Sequence, residues 1–112
     1  MNNKTAQIRS TALREEQRKA CSLIESVKHR ESCKLWAVLK AWNETKHLPL
    51  NRVWLRTEIA HRLGYQSPKT IWCIVSAYYA VCDGNDYTNT YSGYSKTWVN
   101  LLSGQKKDIH KI

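Results

Sequence analysis

Four cysteines (Cys21, Cys33, Cys73, Cys82) and four histidines are the side chains that could ligate a metal or serve as nucleophile and base. No two cysteines stand at the C-x-x-C spacing of a zinc knuckle or a thioredoxin-like site. His29 and Cys33 are four apart and would share a helix face, but two ligands do not close a zinc site and no second pair follows. His61 reads as a surface side chain of a helix. His47 stands in a loop beside Lys46, and His110 stands near the end of the chain; none belongs to a Cys or Ser nucleophile pattern. There is no Gly-rich phosphate loop after a strand, no H-E-x-x-H and no nucleophile elbow. The expectation is a chain without enzyme activity, metal or cofactor, its cysteines reduced and mostly packed as small core residues.

The chemistry that remains is charge. The 112 residues carry 18 Lys+Arg against 9 Asp+Glu, a formal net charge of +9. Such a balance suits a polyanion: nucleic acid first, an anionic membrane surface second. The excess is spread along the chain, with a net of +4 over residues 1–34, +3 over 35–66 and +2 over 67–112. At 42% hydrophobic the chain is neither a disordered tail nor a histone-like arm. The most apolar run, Ile71 to Cys82, has 12 residues, whereas a bilayer-crossing helix needs about 20. No apolar signal region follows Met1, so a cytoplasmic location and no membrane partner are expected, with nucleoid association if the partner is DNA.

Stepping along the elements that must position these groups, residues 1–10 are polar and expected to fray. From Thr11 the residues Leu13, Gln17, Ala20, Ile24 and Val27 form one helix face. Continued in phase, that stripe would put Glu31 and Lys34 on the apolar face, so a second helix, or a bend, is expected near Ser32, with Cys33, Trp36, Leu39 and Trp42 on one side and Leu35 and Val38 beside them. Asn43 to Asn51 reads as a loop, since Pro49 disfavours helical geometry at Leu48. Val53 to Leu55 suits a short strand or a first helical turn, and Arg56 to Leu63 is helical. Gly64 suits a left-handed C-cap, and Ser67-Pro68 an N-cap followed by the first helical residue of a helix to about Cys82. Ser95 to Ser103 suits a short helix or the return strand of a wing, and residues 105–112 form a basic tail expected to be mobile. The fold class is thus mainly α: a small helix-turn-helix or winged-helix-like domain over 11–104, with an added N-terminal helix and room for a short β-hairpin or strand after residue 83.

Residues 56–70 have the layout of a helix-turn-helix: a helix, a Gly-containing turn and a Ser-Pro-started second helix. Ile59 and Leu63 would pack the two helices together, with Ala60 small where they approach. The capped amides and side chains at the start of the second helix would face a phosphate or a base edge. The run Glu58-Ile59-Ala60-x-x-Leu63-Gly64-x-x-Ser67-Pro68 resembles the winged helix-turn-helix domain of the LexA repressors. The likeness extends upstream through Leu35 to Trp42, covering roughly residues 33–82 with Asn51 to Leu55 as a local insertion. It implies Ser67, Lys69, Thr70, Trp72 and Cys73 on the DNA side of the recognition helix and Ile71, Val75 and Tyr78 in the core. The family's protease domain has no counterpart here, so self-cleavage is not implied.

Two departures stand out. A Ser or Thr cap is missing before Arg56, and residues 70–82 contain no charged residue. A helix apolar all round is buried or covered by a partner. The leading reading is a small DNA-binding regulator of phage or plasmid type. Lys69 and Thr70 would meet bases, and Arg52, Arg56, Arg62, Lys106 and Lys107 would meet phosphates of duplex DNA. The alternative is a protein-binding module on the same scaffold, such as an inhibitor of a host complex, using the apolar helix 71–82. A single-strand binder stacking bases on Tyr87, Tyr91 and Tyr94 is weaker, and a homodimer through helix 11–30 is compatible with the first reading.

Overall fold

Ala20, Ile24 and Val27 recur at steps of four and three, and all three are fully buried on the 28-residue helix α1 (Asn3–Arg30). The computed structural model describes residues 3–83, 93–109 and 112. After α1 come α2 (Lys34–Thr45), α3 (Arg52–Leu63), α4 (Pro68–Asp83), α5 (Gly93–Ser103) and the single turn α6 (Lys106–Ile109). Among the described residues there is no strand, and no helix is long and apolar enough to cross a membrane. The hairpin expected after residue 83 falls on residues 84–92, outside the described residues. The segment 95–103 belongs to helix α5 and is not the return strand of a wing.

The N-terminal expectation is corrected: the helix already runs from Asn3, not from Thr11. Leu13, on the same helix, is 48% exposed. A helix of this length spans about 42 Å, which explains an elongated molecule of 52 × 31 × 25 Å.

Between α1 and α2 no Gly or Pro breaks the chain. Cys33, the N-cap of α2, has extended backbone and no side-chain cap. Glu31 instead ties down the N-cap residue itself: its carboxylate accepts from the Cys33 N–H at 3.2 Å and from Lys40 Nζ at 2.6 Å. The Lys40 hydrogen bond, and then the Cys33 amide, hold the Glu31 carboxyl below the usual glutamate range. On α2, Leu35, Val38, Leu39 and Trp42 are buried, whereas Cys33 is exposed and not on the packed face.

The absent cap before Arg56 is explained by where α3 starts. Val53 to Leu55 is its first turn, and Asn51 is its N-cap, accepting from the Val53 and Trp54 amides at 2.8 and 3.1 Å. Such a cap stabilises a helix by about 1 kcal/mol. Gly64 ends α3 at φ 82, ψ 28, and its N–H donates to the Ala60 carbonyl. Leu55, Ile59, Ala60 and Leu63 are buried.

The uncharged run 70–82 follows from the packing order. Helix α1 lies on α2 and α3 and does not touch α4; α4 packs on α2, α3, α5 and α6. Ile71, Ile74, Val75, Ala77, Tyr78, Ala80 and Val81 are therefore buried on several sides of one helix. From α5, Val99 and Leu102 enter the core, while Leu101 faces out. The tail expectation is also corrected: α6 carries Ile109, which is fully buried, and Ile112 packs against the core.

Candidate nucleic-acid interface

Covered by α2, α3, α5 and α6, helix α4 keeps one open strip. It runs through Lys69, Trp72 (44% exposed), Ser76 and Tyr79 (38% exposed), at steps of three and four. At its start the Ser67 hydroxyl accepts from the Lys69 amide at 3.2 Å, so the first turn of α4 is capped. Pro68, the first helical residue, has no amide hydrogen that needs a partner. Lys69 is exposed and Thr70 half-buried beside it. Near the turn, the Lys34 ammonium lies 5.6 Å from the Tyr65 ring centre.

The other end of the strip joins the sequence candidate Arg52 to Lys46 and Tyr79, which sequence reasoning passed over as site residues. Trp42, 6% exposed on α2, donates its indole N–H to the Tyr79 hydroxyl oxygen at 2.9 Å. Lys46 Nζ lies 5.7 Å from the Tyr79 ring centre, and the Arg52 guanidinium 5.2 Å from the Trp42 ring. Both contacts have cation–π geometry. Beside them the Asn43 side-chain amide donates to the Tyr78 hydroxyl at 3.5 Å. Burial pushes the Tyr78 phenol up, and the Asn43 hydrogen bond only partly offsets this, so it stays neutral. Trp42 and the C-cap Lys46 are four residues apart, but the Trp42–Tyr79 link spans 37 residues of sequence and needs the α2–α4 packing.

Carboxylates are engaged elsewhere. Glu16 pairs with Lys19, Glu44 with Arg30, Glu31 with Lys40, and Glu25 and Glu58 both with Arg62. Among the described residues, no carboxylate pairs with Lys46, Arg52, Arg56 or Lys69. These four cations therefore keep their charge uncompensated by any described ion pair.

The sequence candidates divide accordingly. Ser67, Lys69, Thr70 and Trp72 share the start of α4 and are accessible in whole or part. Cys73 is corrected: at 2% exposure it points into the core and cannot face a duplex. Arg62 is also corrected as a free phosphate ligand. Its guanidinium donates to Glu25 at 3.0 Å on α1 and to Glu58 at 3.1 Å on α3, so the trio is net negative. Cys21 Sγ approaches the same Glu58 at 3.9 Å, and burial pushes its thiol up. Arg52 is exposed and Arg56 half-buried on α3. The side chains of Lys106 and Lys107, and the tyrosines at 87, 91 and 94, lie outside the described residues. No group of three metal-ligating side chains occurs among the described residues.

No protein-family model, curated protein or solved structure matches this chain, so the likeness to the LexA repressors rests on the motif residues alone.

Proposed function

We propose that this chain is a small DNA-binding protein of the transcription-regulator kind, gripping duplex DNA through the open strip of α4. The observation that carries the reading is the combination at the start of that strip. A capped helix end and Lys69 are accessible there, and Lys69 has no described carboxylate partner. Lys69 meets the DNA first, Thr70 offers a hydroxyl and a methyl to base edges, and Arg52 and Arg56 neutralise phosphates.

Each neutralised phosphate releases counterion, with a slope of log K against log[salt] of about −0.9 per contact. Three contacts (Lys69, Arg52, Arg56) give a slope of about −2.7 and an affinity loss of about 40-fold between about 50 and 200 mM salt. Fluorescence anisotropy on labelled duplexes at those two concentrations tests this. Wild type is expected to show a slope at least this steep, and Lys69→Ala to bind more weakly with a shallower one. Absence of binding, or an unchanged Lys69→Ala, overturns the reading.

Exposed Trp72 and Tyr79 favour a second reading, a protein partner docked on the same strip. A nuclease-treated pull-down that retains one stoichiometric protein, lost on Trp72→Ser, would select it.

A further inference from the structure

Lys69 and Tyr79 stand ten residues apart on α4, which sets them about 15 Å apart along the helix axis. A major groove is about 12 Å wide. With the first turn of α4 in the groove, the far end of the strip lies at its edge, where a duplex offers phosphates rather than bases.

The groups at that far end suit such a ligand. The Tyr79 hydroxyl already accepts from the Trp42 indole, which leaves its own proton for an outside acceptor. Trp42 is buried, so the hydroxyl is held by the core and not by solvent. Lys46 lies over the Tyr79 ring and Arg52 over the Trp42 ring, two cations flanking one hydrogen-bonded ring pair. A phenolic O–H, an ammonium and a guanidinium are all donors, and no described carboxylate pairs with either cation. The rings already restrict both long side chains, which lowers the ordering cost of binding. Lys46 is also the C-cap of α2, where positive charge complements the helix dipole.

We infer that Lys46, Tyr79 and Arg52 form a backbone clamp that binds phosphates of duplex DNA at the edge of the groove entered by α4. The clamp rests on the duplex-binding reading and extends it: it adds affinity without reading sequence. Lys69 and Thr70 at the other end carry the base discrimination.

The test is anisotropy with two duplexes of different sequence, over a series of salt concentrations, using wild type, Lys46→Gln, Arg52→Gln, Tyr79→Phe, Lys69→Ala and Lys28→Gln. Lys28 is exposed on α1, which does not touch α4, and serves as the charge control. Far-UV circular dichroism verifies that each variant is folded, and Lys46→Arg replaces Lys46→Gln if that variant is not. Lys46→Gln and Arg52→Gln are each expected to weaken both duplexes by the same factor and to reduce the salt slope by about 0.9. Lys46→Arg keeps the slope. Tyr79→Phe is expected to weaken both duplexes with the slope unchanged, because a neutral donor releases no counterion. Lys28→Gln is expected to match wild type. If wild type binds and Lys69→Ala weakens it, but Lys46→Gln and Tyr79→Phe match wild type, the clamp is overturned while the duplex reading stands. If wild type binds neither duplex at low salt, both fall.

Discussion

Replacing Gly64 by alanine tests the turn on which the whole interface depends. Gly64 sits at φ 82, in the left-handed region, where its N–H closes α3 on the Ala60 carbonyl. A Cβ built there meets only Lys34 Nζ at 3.5 Å, an ordinary contact with the end of a flexible side chain. Sterics therefore contribute little, and the cost is that of the backbone region itself, about 1–2 kcal/mol for a residue with a Cβ. Alanine also reduces the freedom of the unfolded chain, which offsets about 0.4–1 kcal/mol. The net expectation is a loss of about 1 kcal/mol. In urea, with a slope near 2 kcal/mol/M, this lowers the midpoint by about 0.5 M at constant slope. By heat it lowers Tm by about 4 °C. Gly64→Asn, which tolerates the left-handed region, is expected to lose less. The sign is the decisive feature. If residue 64 instead continued a regular helix, alanine would stabilise it by about 0.5–1 kcal/mol. A Gly64→Ala protein as stable as wild type, or more so, refutes the turn and with it the placement of Lys69 and Trp72.

Two other predictions concern the scaffold. Ile109→Ala is expected to cost about 2 kcal/mol, the low end for a buried isoleucine because a terminal turn can shift to fill the space; an unchanged urea midpoint would show that α6 does not dock. Glu31→Gln is expected to lower Tm at pH 7, and the gap to wild type to narrow in acid. The Glu31 carboxyl is held below its ordinary value of 4.5 by Lys40 and the Cys33 amide. Its contribution is therefore full above that value and lost as pH falls through the depressed one. Thermal melts of both proteins at pH 7 and at about pH 3 measure this, and a gap that stays constant or widens in acid contradicts this role of Glu31.

The parts of the fold legible in the sequence are those governed by neighbours in the chain. Gly64 and Ser67-Pro68 announce their turn and cap because the requirement is local: a positive φ, an acceptor for an orphan amide, a ring that needs no amide hydrogen. The Ala20, Ile24, Val27 stripe is equally plain. What was not legible depends on distant partners. The uncharged α4 looked like a poor DNA-facing helix because nothing in residues 70–82 says that α5 and α6 cover it. Ile109 stands among lysines with no apolar period to mark it as core. The cap of α3 is Asn51, four residues before Leu55, where the repressor-like motif alone would place it.

The same distinction decides which cations belong to the candidate site. Arg56 and Arg62 are both helical, both basic and six residues apart on α3, so sequence gives no reason to separate them. Packing does. α1 brings Glu25 to Arg62, and Glu58 reaches the same guanidinium from one turn earlier on α3. The hydrogen bond that Arg62 donates to Glu25, first, and then the one it donates to Glu58 hold the Arg62 charge more firmly than usual. Arg62 thus brackets α1 to α3, and a phosphate arriving there would have to displace two carboxylates. The two pairs are part-buried and still screened by solvent, so their contribution to stability is about 1 kcal/mol, and Arg62→Gln is expected to be folded and to bind duplex DNA with the wild-type salt slope. Arg52→Gln lowers that slope. If the two substitutions have equal effects on the slope, the charge of the chain acts as a diffuse cloud, and the positive face defined by α4, Lys46 and Arg52 has no separate role.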